Sequence, residues 1–249
     1  MKLSPEERRH RRQRFQKMRP REKWEHIWTY YKAPIFLAVA VLVLLLSGAH
    51  RALTKKEPAL YIACINVAAG DTLEQQLSDR YFSFAGLDPH RYQLLFYRDL
   101  YLSENPSAMD HEYAYASRMK VLAAINAKQL DLVLMNREAY DLCSGSGYLM
   151  ELDTLFSEAN PQKKALLPLL TENLVILEDN AIEFSLNQAA EYQAVTYPAV
   201  NALDLSGLSV FAQAGFSDRV YLGIVANTPR LAACEDFLLS LADSPQAIP

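Results

Sequence analysis

The sequence predicts an α/β fold for most of the chain, preceded by a single N-terminal transmembrane helix. Three observations support this prediction: an uncharged run at 33–49, apolar runs that alternate with amphipathic segments after residue 58, and a charge difference between the two parts. Residues 1–32 carry 11 Lys and Arg against 4 Asp and Glu, whereas residues 33–249 carry 14 against 25. Because an acidic domain repels phosphates, we expect no nucleic acid partner.

The uncharged run at 33–49 is close to the minimum length of a membrane-spanning helix. Trp24 and Trp28 precede it, and Trp is typical of membrane interfaces. The positive-inside rule then predicts a single-pass protein of the cell membrane with a cytoplasmic N-terminus and an extracytoplasmic C-terminal domain. A signal peptide cleaved after Ala49 is one alternative, and a buried soluble helix is another. The predicted segments are a basic cytoplasmic segment at 1–32, the transmembrane helix at 33–49, a linker at 50–58 and an extracytoplasmic domain at 59–249.

Strand-like and helix-like patterns alternate in the first half of the outer domain. The nearly continuous apolar run at 60–67 is typical of a strand buried on both faces. Asp71, with Glu74 three residues later, is a candidate helix cap. Further strands are predicted at 92–97 and 130–135, a helix at 117–128, and a short helix capped by Asn136. This alternation predicts parallel strands with right-handed crossovers.

The middle of the outer domain has a different pattern. Pro168 interrupts a helical segment, and the runs at 174–177 and 181–185 resemble a hairpin that is followed by a strand at 192–197. We therefore expect a small second lobe at 159–200. The chain then returns to a buried strand at 220–225 and to a helix that begins at Thr228 and Pro229.

The three cysteines allow one disulfide at most. Cys64 lies in the first apolar run, and Cys234 lies on the apolar stripe of the last helix, so both are expected to be buried thiols. Cys143 is expected to be the most accessible thiol. No pair of cysteines has metal-ligand spacing, so the sequence predicts no metal site.

The sequence contains no recognisable catalytic motif. G-x-S-x-G, H-E-x-x-H, the P-loop and G-x-G-x-x-G are all missing, and His90 and His111 are the histidines well inside the outer domain. No acid, base and nucleophile can be assembled from the spacing of the residues. We therefore expect neither an enzyme nor a cofactor.

Position within the predicted sheet identifies a candidate binding site. In open α/β sheets, ligands bind beyond the carboxyl ends of the strands, where polar and aromatic residues follow each predicted strand. A paired Arg and Asp there would orient a polar ligand, and a Tyr would supply contact area. The alternative is that Arg98 and Asp99 form a solvated turn. The candidate ligand-binding residues are Asp71, Arg98, Asp99, Tyr101, Asn136 and Tyr197.

Several segments resemble those of extracytoplasmic solute-binding proteins with the type 2 periplasmic-binding-protein fold. They are the strand at 130–136, which holds Asp131, the G-x-L-x-x-L-D pattern at 147–153, and the final strand and helix at 221–241. The resemblance implies a two-lobed domain, here with a shortened second lobe. It also implies a cleft that binds a small polar ligand, such as a sugar or a peptide.

Together these observations predict a membrane-tethered extracytoplasmic module that captures or senses a small polar ligand. The alternative is an interaction or structural protein that keeps a degenerate solute-binding fold and docks a membrane protein or an exported partner. An arginine that faces a cleft between two lobes favours the first function. A filled cleft together with an exposed apolar patch favours the second.

Overall fold

A computed structural model describes residues 36–37, 39–47, 56–105, 107, 110–153, 155–156, 161–186, 191–216 and 218–242. The chain divides into two compact units, Met1–Lys55 and Lys56–Pro249. In the first unit, residues 36–37 and 39–47 are helical, with exposed side chains. The basic segment at 1–32 lies outside the described residues, so the orientation and localisation that it implies stay predictions.

The predicted transmembrane helix is not confirmed. The described helical residues lie between positions 36 and 47. Within the described part of the chain, no helix is long and apolar enough to cross a membrane. The prediction of a transmembrane signal-anchor at 33–49 is therefore wrong on this finding, whereas membrane binding through this segment stays a prediction.

The second unit is an α/β domain built on a six-stranded mixed sheet in the order β2-β1-β3-β6-β5-β4. The strands are β1 (Glu57–Ile65), β2 (Tyr92–Leu100), β3 (Leu132–Met135), β4 (Leu170–Asp179), β5 (Ala194–Asp204) and β6 (Tyr221–Ile224). The helices are α1 (Asp71–Ala85), α2 (His111–Asn126), α3 (Arg137–Gly145), α4 (Pro161–Lys164), α5 (Ala181–Leu186), α6 (Ser209–Gln213) and α7 (Leu231–Ala242), and a 3₁₀ turn covers Leu167–Leu169.

The first half of the sheet is parallel, as predicted. β1 lies between β2 and β3 and runs parallel to both. All four residues of β3 are buried, which explains its continuous apolar run. The α/β class and the strand–helix order of this half are therefore confirmed.

The second half of the sheet is antiparallel, and it corrects the two-lobed prediction. β6 runs antiparallel to β3, β5 pairs with β6 through Leu203 and Asp204, and β4 pairs with β5 along its whole length. Residues 159–200 therefore supply β4 and part of β5 to the same sheet, so the two-lobed fold is wrong. The run at 181–185 forms helix α5 and not a strand. These pairings depend on contacts between distant residues, which local patterns do not reveal.

Two apolar clusters pack on the two faces of the sheet. The first includes Leu73 and Leu77 of α1 and Phe237 of α7, and the second includes Val121 of α2 and Tyr140 of α3. Helices therefore cover both faces, which explains why the central strands are apolar on both sides.

A close approach at β6 requires a glycine. A Cβ atom at Gly223 would lie 2.8 Å from a methyl carbon of Leu149 and 3.1 Å from the Met135 methyl carbon. Leu149 belongs to the segment with the G-x-L-x-x-L-D pattern, and it forms a β-bridge with Val225. The same segment reaches β5, because the Leu152 amide donates to the Val200 carbonyl at 2.7 Å. It therefore links β6 to β5 at the edge away from the carboxyl ends of β1–β3.

The fully buried carboxylate of Asp131 connects several elements at that same edge of the sheet. Asp131 has no exposed surface, and its Oδ2 accepts hydrogen bonds from the Tyr61 amide at 2.9 Å and from Arg230 Nε at 2.8 Å. Its Oδ1 accepts a hydrogen bond from the Thr228 hydroxyl. The Arg230 guanidinium lies 4.7 Å from the centre of the Tyr61 ring and donates to the Lys128 carbonyl at 2.7 Å. One carboxylate therefore joins β1, β3 and the connection from β6 to α7.

We expect Asp131→Ala to lower the free energy of unfolding by at least about 3 kcal/mol, because it removes the carboxylate partner of Arg230 and the hydrogen-bond acceptor of the Tyr61 amide. Urea unfolding of the full chain measures the change. Asp79→Asn, at an exposed position on α1, is the matched control and should stay within about 0.5 kcal/mol of wild type. An equally small change for Asp131→Ala would contradict the structural role given to this carboxylate.

Candidate functional site

The carboxyl ends of the three parallel strands meet at one edge of the sheet. Ile65, at the end of β1, is in register with Leu100 of β2 and with Met135 of β3. The strand directions on which the site prediction rests are therefore correct. The individual side chains, however, belong to different local groups.

Arg98 and Asp71 lie together in an ion-pair group. Arg98 Nη2 lies 2.7 Å from Asp71 Oδ1, and Arg98 Nε donates to Glu74 Oε1 at 2.6 Å. The hydrogen bond to Glu74, followed by the one to Asp71, raises the pKa of Arg98 above its ordinary value. Asp71 is not the helix cap that the sequence predicts, since Gly70 occupies the cap position of α1. The group joins α1 to β2, so both acidic residues of the predicted capping box bind Arg98 instead.

Asp99 and Tyr101 contact helix α2 rather than Arg98. Asp99 has a left-handed backbone conformation (φ 55°), and its carbonyl oxygen accepts a hydrogen bond from the Tyr113 hydroxyl. The Tyr101 ring stacks on the Tyr113 ring with centroids 6.4 Å apart. Tyr113 contacts both residues and is not one of the predicted site residues.

Asn136 caps α3, as predicted. Its Oδ1 accepts a hydrogen bond from the Ala139 amide at 3.0 Å. Since α1 packs on the first apolar cluster and α3 on the second, Arg98 and Asn136 lie towards opposite faces of the sheet.

Tyr197 lies away from the other predicted site residues. It precedes Asp204 by seven positions on β5, a distance of about 23 Å along an extended strand. Asp204 is in register with Tyr221, which in turn is opposite Met135, so Asp204 marks the edge where the carboxyl ends meet. The Tyr197 hydroxyl instead donates to Glu151 Oε1 at 2.9 Å.

A cleft of about 640 Å³ opens at the carboxyl edge, on the side of α3. Three segments form it: the start of α3, the loop after β2 and the segment that leads into β6. Its lining residues are Glu104, Asn136, Arg137, Glu138, Asp141, Asp218, Arg219 and Tyr221. Of the six predicted site residues, only Asn136 lines this cleft.

Two stacked tyrosine rings support the Arg137 side chain in the cleft. The Tyr140 and Tyr221 rings stack with centroids 4.9 Å apart, and the Arg137 guanidinium lies 5.5 Å from the first centroid and 6.0 Å from the second. Arg137 Nε also lies 2.9 Å from Asp141 Oδ1. The guanidinium is therefore held by an aromatic pair and by a carboxylate of its own helix.

The cleft has an excess of negative charge. Its two arginines are already paired, Arg137 with Asp141 and Arg219 with Asp204, the latter at 3.5 Å. Glu138 accepts a hydrogen bond from the Ser103 hydroxyl at 2.6 Å. Within the described part of the chain, Glu104 and Asp218 have no ion-pair partner, and no group of three or more His, Cys, Asp or Glu is arranged to hold a metal ion..

A second cavity of about 380 Å³ lies along α3 and β4. Glu104 and Asp141 line both cavities, so the two spaces are neighbours. The second cavity is also lined by the apolar side chains of Ile176 and Leu177 and by Glu178 and Asp179. The two neighbouring cavities therefore offer several acidic groups together with an apolar stretch.

A buried hydrogen-bond network fixes α3 against β4 and β5. The Tyr140 hydroxyl donates to Asn201 Oδ1 at 2.8 Å, and Asn201 Nδ2 donates to the Ser144 hydroxyl at 2.8 Å. Ser144 in turn donates to the Leu174 carbonyl at 2.8 Å. Burial raises the pKa of Tyr140, which keeps its hydroxyl protonated. The network positions α3, which together with its cap Asn136 supplies four of the eight residues that line the cleft.

All three thiols are free and buried. This confirms the predictions for Cys64 and Cys234, whereas the expectation of an accessible Cys143 is wrong, because α3 turns this residue into the second apolar cluster. Burial raises the pKa of each of these thiols to about 12. The thiols are therefore neutral at ordinary pH and are poor nucleophiles.

Comparison of the chain with protein-family models, with curated proteins and with solved structures found no match. The resemblance to solute-binding proteins therefore stays a prediction.

We expect Tyr140→Phe to lower the free energy of unfolding by about 1–3 kcal/mol, because it leaves Asn201 Oδ1 buried without its donor. Chemical denaturation of the full chain measures the loss. Tyr115→Phe, which removes a hydroxyl from an exposed ring on α2, is the control and should leave stability unchanged. If both variants unfold at the same denaturant concentration as wild type, the network does not hold α3.

We expect iodoacetamide at pH 8 to leave Cys64, Cys143 and Cys234 unmodified in the native chain and to modify all three in urea. The reason is that a thiol with a pKa of about 12 has almost no thiolate at that pH, and burial blocks access to it. Mass spectrometry of the labelled peptides gives the result. Fast native labelling of Cys143 would instead support the expectation from the sequence.

Proposed function

We propose that the domain at 56–242 is a binding module that captures a small, positively charged polar ligand in the cleft beside α3. The observation that carries this proposal is the open acidic cleft, in which Glu104 and Asp218 have no ion-pair partner in the described part of the chain. A ligand ammonium or guanidinium group would supply the missing positive charge and make charge-assisted hydrogen bonds.

The shape and charge of the groove favour a peptide-like ligand over a sugar. Two neighbouring cavities share Glu104 and Asp141, and Ile176 and Leu177 offer apolar contact next to acidic groups. Among the described residues that line the cleft, Tyr221 is the one aromatic residue, and its ring already stacks on Tyr140 and contacts the Arg137 guanidinium. Sugar stacking on a free aromatic face therefore has little support here.

A binding role also agrees with the chemical state of the potential nucleophiles. The three thiols are neutral and buried. His90 lies in an exposed turn, where its backbone amide donates a hydrogen bond to Asp88 Oδ1 at 2.9 Å. His111 begins helix α2 and lines a small neighbouring cavity that shares Glu104 with the cleft, but it does not line the cleft itself. These observations support capture of a ligand rather than conversion of one.

The predicted alternative, an interaction protein that docks a partner, is favoured by a different observation. The β4–β5 region carries a group of exposed apolar side chains, of which Leu177 alone lines one of the two ligand cavities. The rest of this group lies on a different surface from the cleft, and the two functions can be tested separately there.

We expect the tripeptide Lys-Ala-Lys to raise the melting temperature of the full chain, whereas Glu-Ala-Glu and glucose should not. Ligand at about 100 times its Kd stabilises a folded protein by about 2.7 kcal/mol. The double variant Glu104→Gln, Asp218→Asn should weaken binding of Lys-Ala-Lys at least about tenfold, because it removes both unpaired carboxylates. Thermal shift followed by calorimetric titration measures both effects.

The matched control is the double variant Asp79→Asn, Glu112→Gln, which removes the same charge from exposed positions outside the cleft. It should bind Lys-Ala-Lys as wild type does. Equal weakening by both double variants would show that net charge alone attracts the peptide, and the proposal would fail. Loss of binding in Arg98→Ala with normal binding in the cleft variant would move the site to the Arg98 group.

A further inference from the structure

The β4–β5 region forms a projecting arm, which we define as residues 170–204: β4, α5 and β5. β4 and β5 pair from Leu170 opposite Leu203 to Asp179 opposite Ala194, but only Leu203 and Asp204 of β5 pair with β6. The distal part of the arm is therefore a two-stranded ribbon that ends in helix α5. Such a ribbon is marginally stable in water unless other elements pack on it.

The described part of the arm tip has a defined structure of its own. The Tyr192 ring packs edge-on against Phe184 with centroids 5.9 Å apart, and its hydroxyl donates to Asp179 Oδ2 at 3.1 Å. Asn180 Nδ2 donates to the Glu191 carbonyl at 2.9 Å, and Asn180 Oδ1 accepts from the Gln193 amide at 2.7 Å. The described residues of the tip therefore hold one another through side-chain contacts of their own.

Large apolar side chains are exposed along this arm. Leu186 is 82% exposed and Ile182 is 78% exposed, so each offers almost its whole side chain to solvent. The exposed apolar residues of the arm are Leu174, Leu177, Ile182, Phe184, Leu186, Tyr192 and Val195. Scattered exposed apolar residues are normal, but a group of this size on one projecting element is typical of an interaction surface.

The charges of the arm all have one sign. From Ala165 to Asp218 the sequence contains no Lys, Arg or His. The charged residues of the arm are Glu172, Glu178, Asp179, Glu183, Glu191 and Asp204. The apolar surface is therefore accompanied only by carboxylates, and its partner must tolerate or attract negative charge.

This charge pattern disfavours two other occupants of the surface. In a symmetric pair of copies, the acidic residues of one arm would approach those of the other, and like charges across an interface are destabilising. An anionic membrane surface would likewise repel the arm. A protein with complementary charge remains the occupant that the arm fits.

We propose that the arm docks into an apolar groove of another protein, and that Lys and Arg side chains line the rim of that groove. Ile182 and Leu186 of α5, four residues apart on one helix face, enter the groove, and Glu183 of the same helix pairs with the basic rim. Glu178 and Asp179 of the arm line the second ligand cavity, whereas Ile182, Glu183 and Leu186 line neither cavity. The inference therefore rests on α5 and not on the proposed ligand site.

The test uses a defined probe: a fluorescently labelled amphipathic peptide of Leu and Lys, whose helix presents an apolar face between rows of Lys. Fluorescence anisotropy with the full chain should show binding that weakens as salt is added. The double variant Ile182→Ser, Leu186→Ser keeps the net charge and should weaken binding at least about tenfold, since it removes two buried apolar anchors. A Leu and Glu peptide of the same pattern should not bind.

Two control variants test whether peptide binding depends on the arm rather than on another part of the surface. Tyr115→Ser with Met119→Ser removes exposed apolar side chains from α2 and should bind the peptide as wild type does. Glu104→Gln with Asp218→Asn alters only the ligand cleft and should also bind normally. Unchanged binding in the arm variant, or loss of binding only in the cleft variant, would overturn the docking proposal while leaving the ligand proposal intact.

Two further measurements test the other two occupants, a second copy of the chain and a membrane surface. Light scattering after size exclusion should show that wild type and the arm variant have the same mass. Co-sedimentation with phosphatidylcholine vesicles should show no binding that depends on Ile182 and Leu186. A dimer that the arm variant abolishes, or vesicle binding that it abolishes, would overturn the proposal in favour of that occupant.

Discussion

The buried carboxylate of Asp131 is the constraint on which the arrangement of the sheet depends. A carboxylate without solvent contact is costly unless donors surround it, and its donors come from residues 70, 97 and 99 positions away in sequence. The need to supply this carboxylate with hydrogen-bond donors therefore places β1 beside β3 and holds the start of α7 against both strands. With that pairing set, the carboxyl ends of three strands meet at the opposite edge, where the cleft opens.

The parallel half of the domain could be predicted because its signals are local. A strand buried on both faces must be apolar throughout, and Asn136 caps a helix through a contact only three residues away. The antiparallel half could not be predicted in the same way. β5 joins β6 through two residue pairs, and nothing in the sequence near Leu203 or Leu222 shows that these residues are opposite each other. A ribbon that joins the sheet over so short a length gives the same sequence pattern as a separate lobe.

The candidate site was predictable in its position but not in its members. Strand direction located the edge, yet the side chains there depend on local backbone detail. The left-handed conformation at Asp99 turns the chain towards α2. Arg98 is paired within the protein with the two acidic residues of α1. Arg137 and Asp141 were detectable in principle, because an Arg and an Asp four residues apart on a helix are expected to pair. The contribution of Tyr221 depends on the antiparallel pairing of β6 and has no local signal.

The antiparallel pairing of β3 with β6 has a consequence for biosynthesis. Residues 132–135 leave the ribosome long before residues 221–224, although they are neighbours in the finished sheet. The nascent chain can close β1, β2 and β3 early, but the outer edge of β3 then stays open, with Leu132, Val133 and Leu134 unpaired on that side. An open apolar strand edge is a template for pairing with other chains. The protein is therefore most vulnerable to aggregation in the interval before β6 emerges, and a chaperone that shields strand edges would act on this intermediate rather than on the native fold.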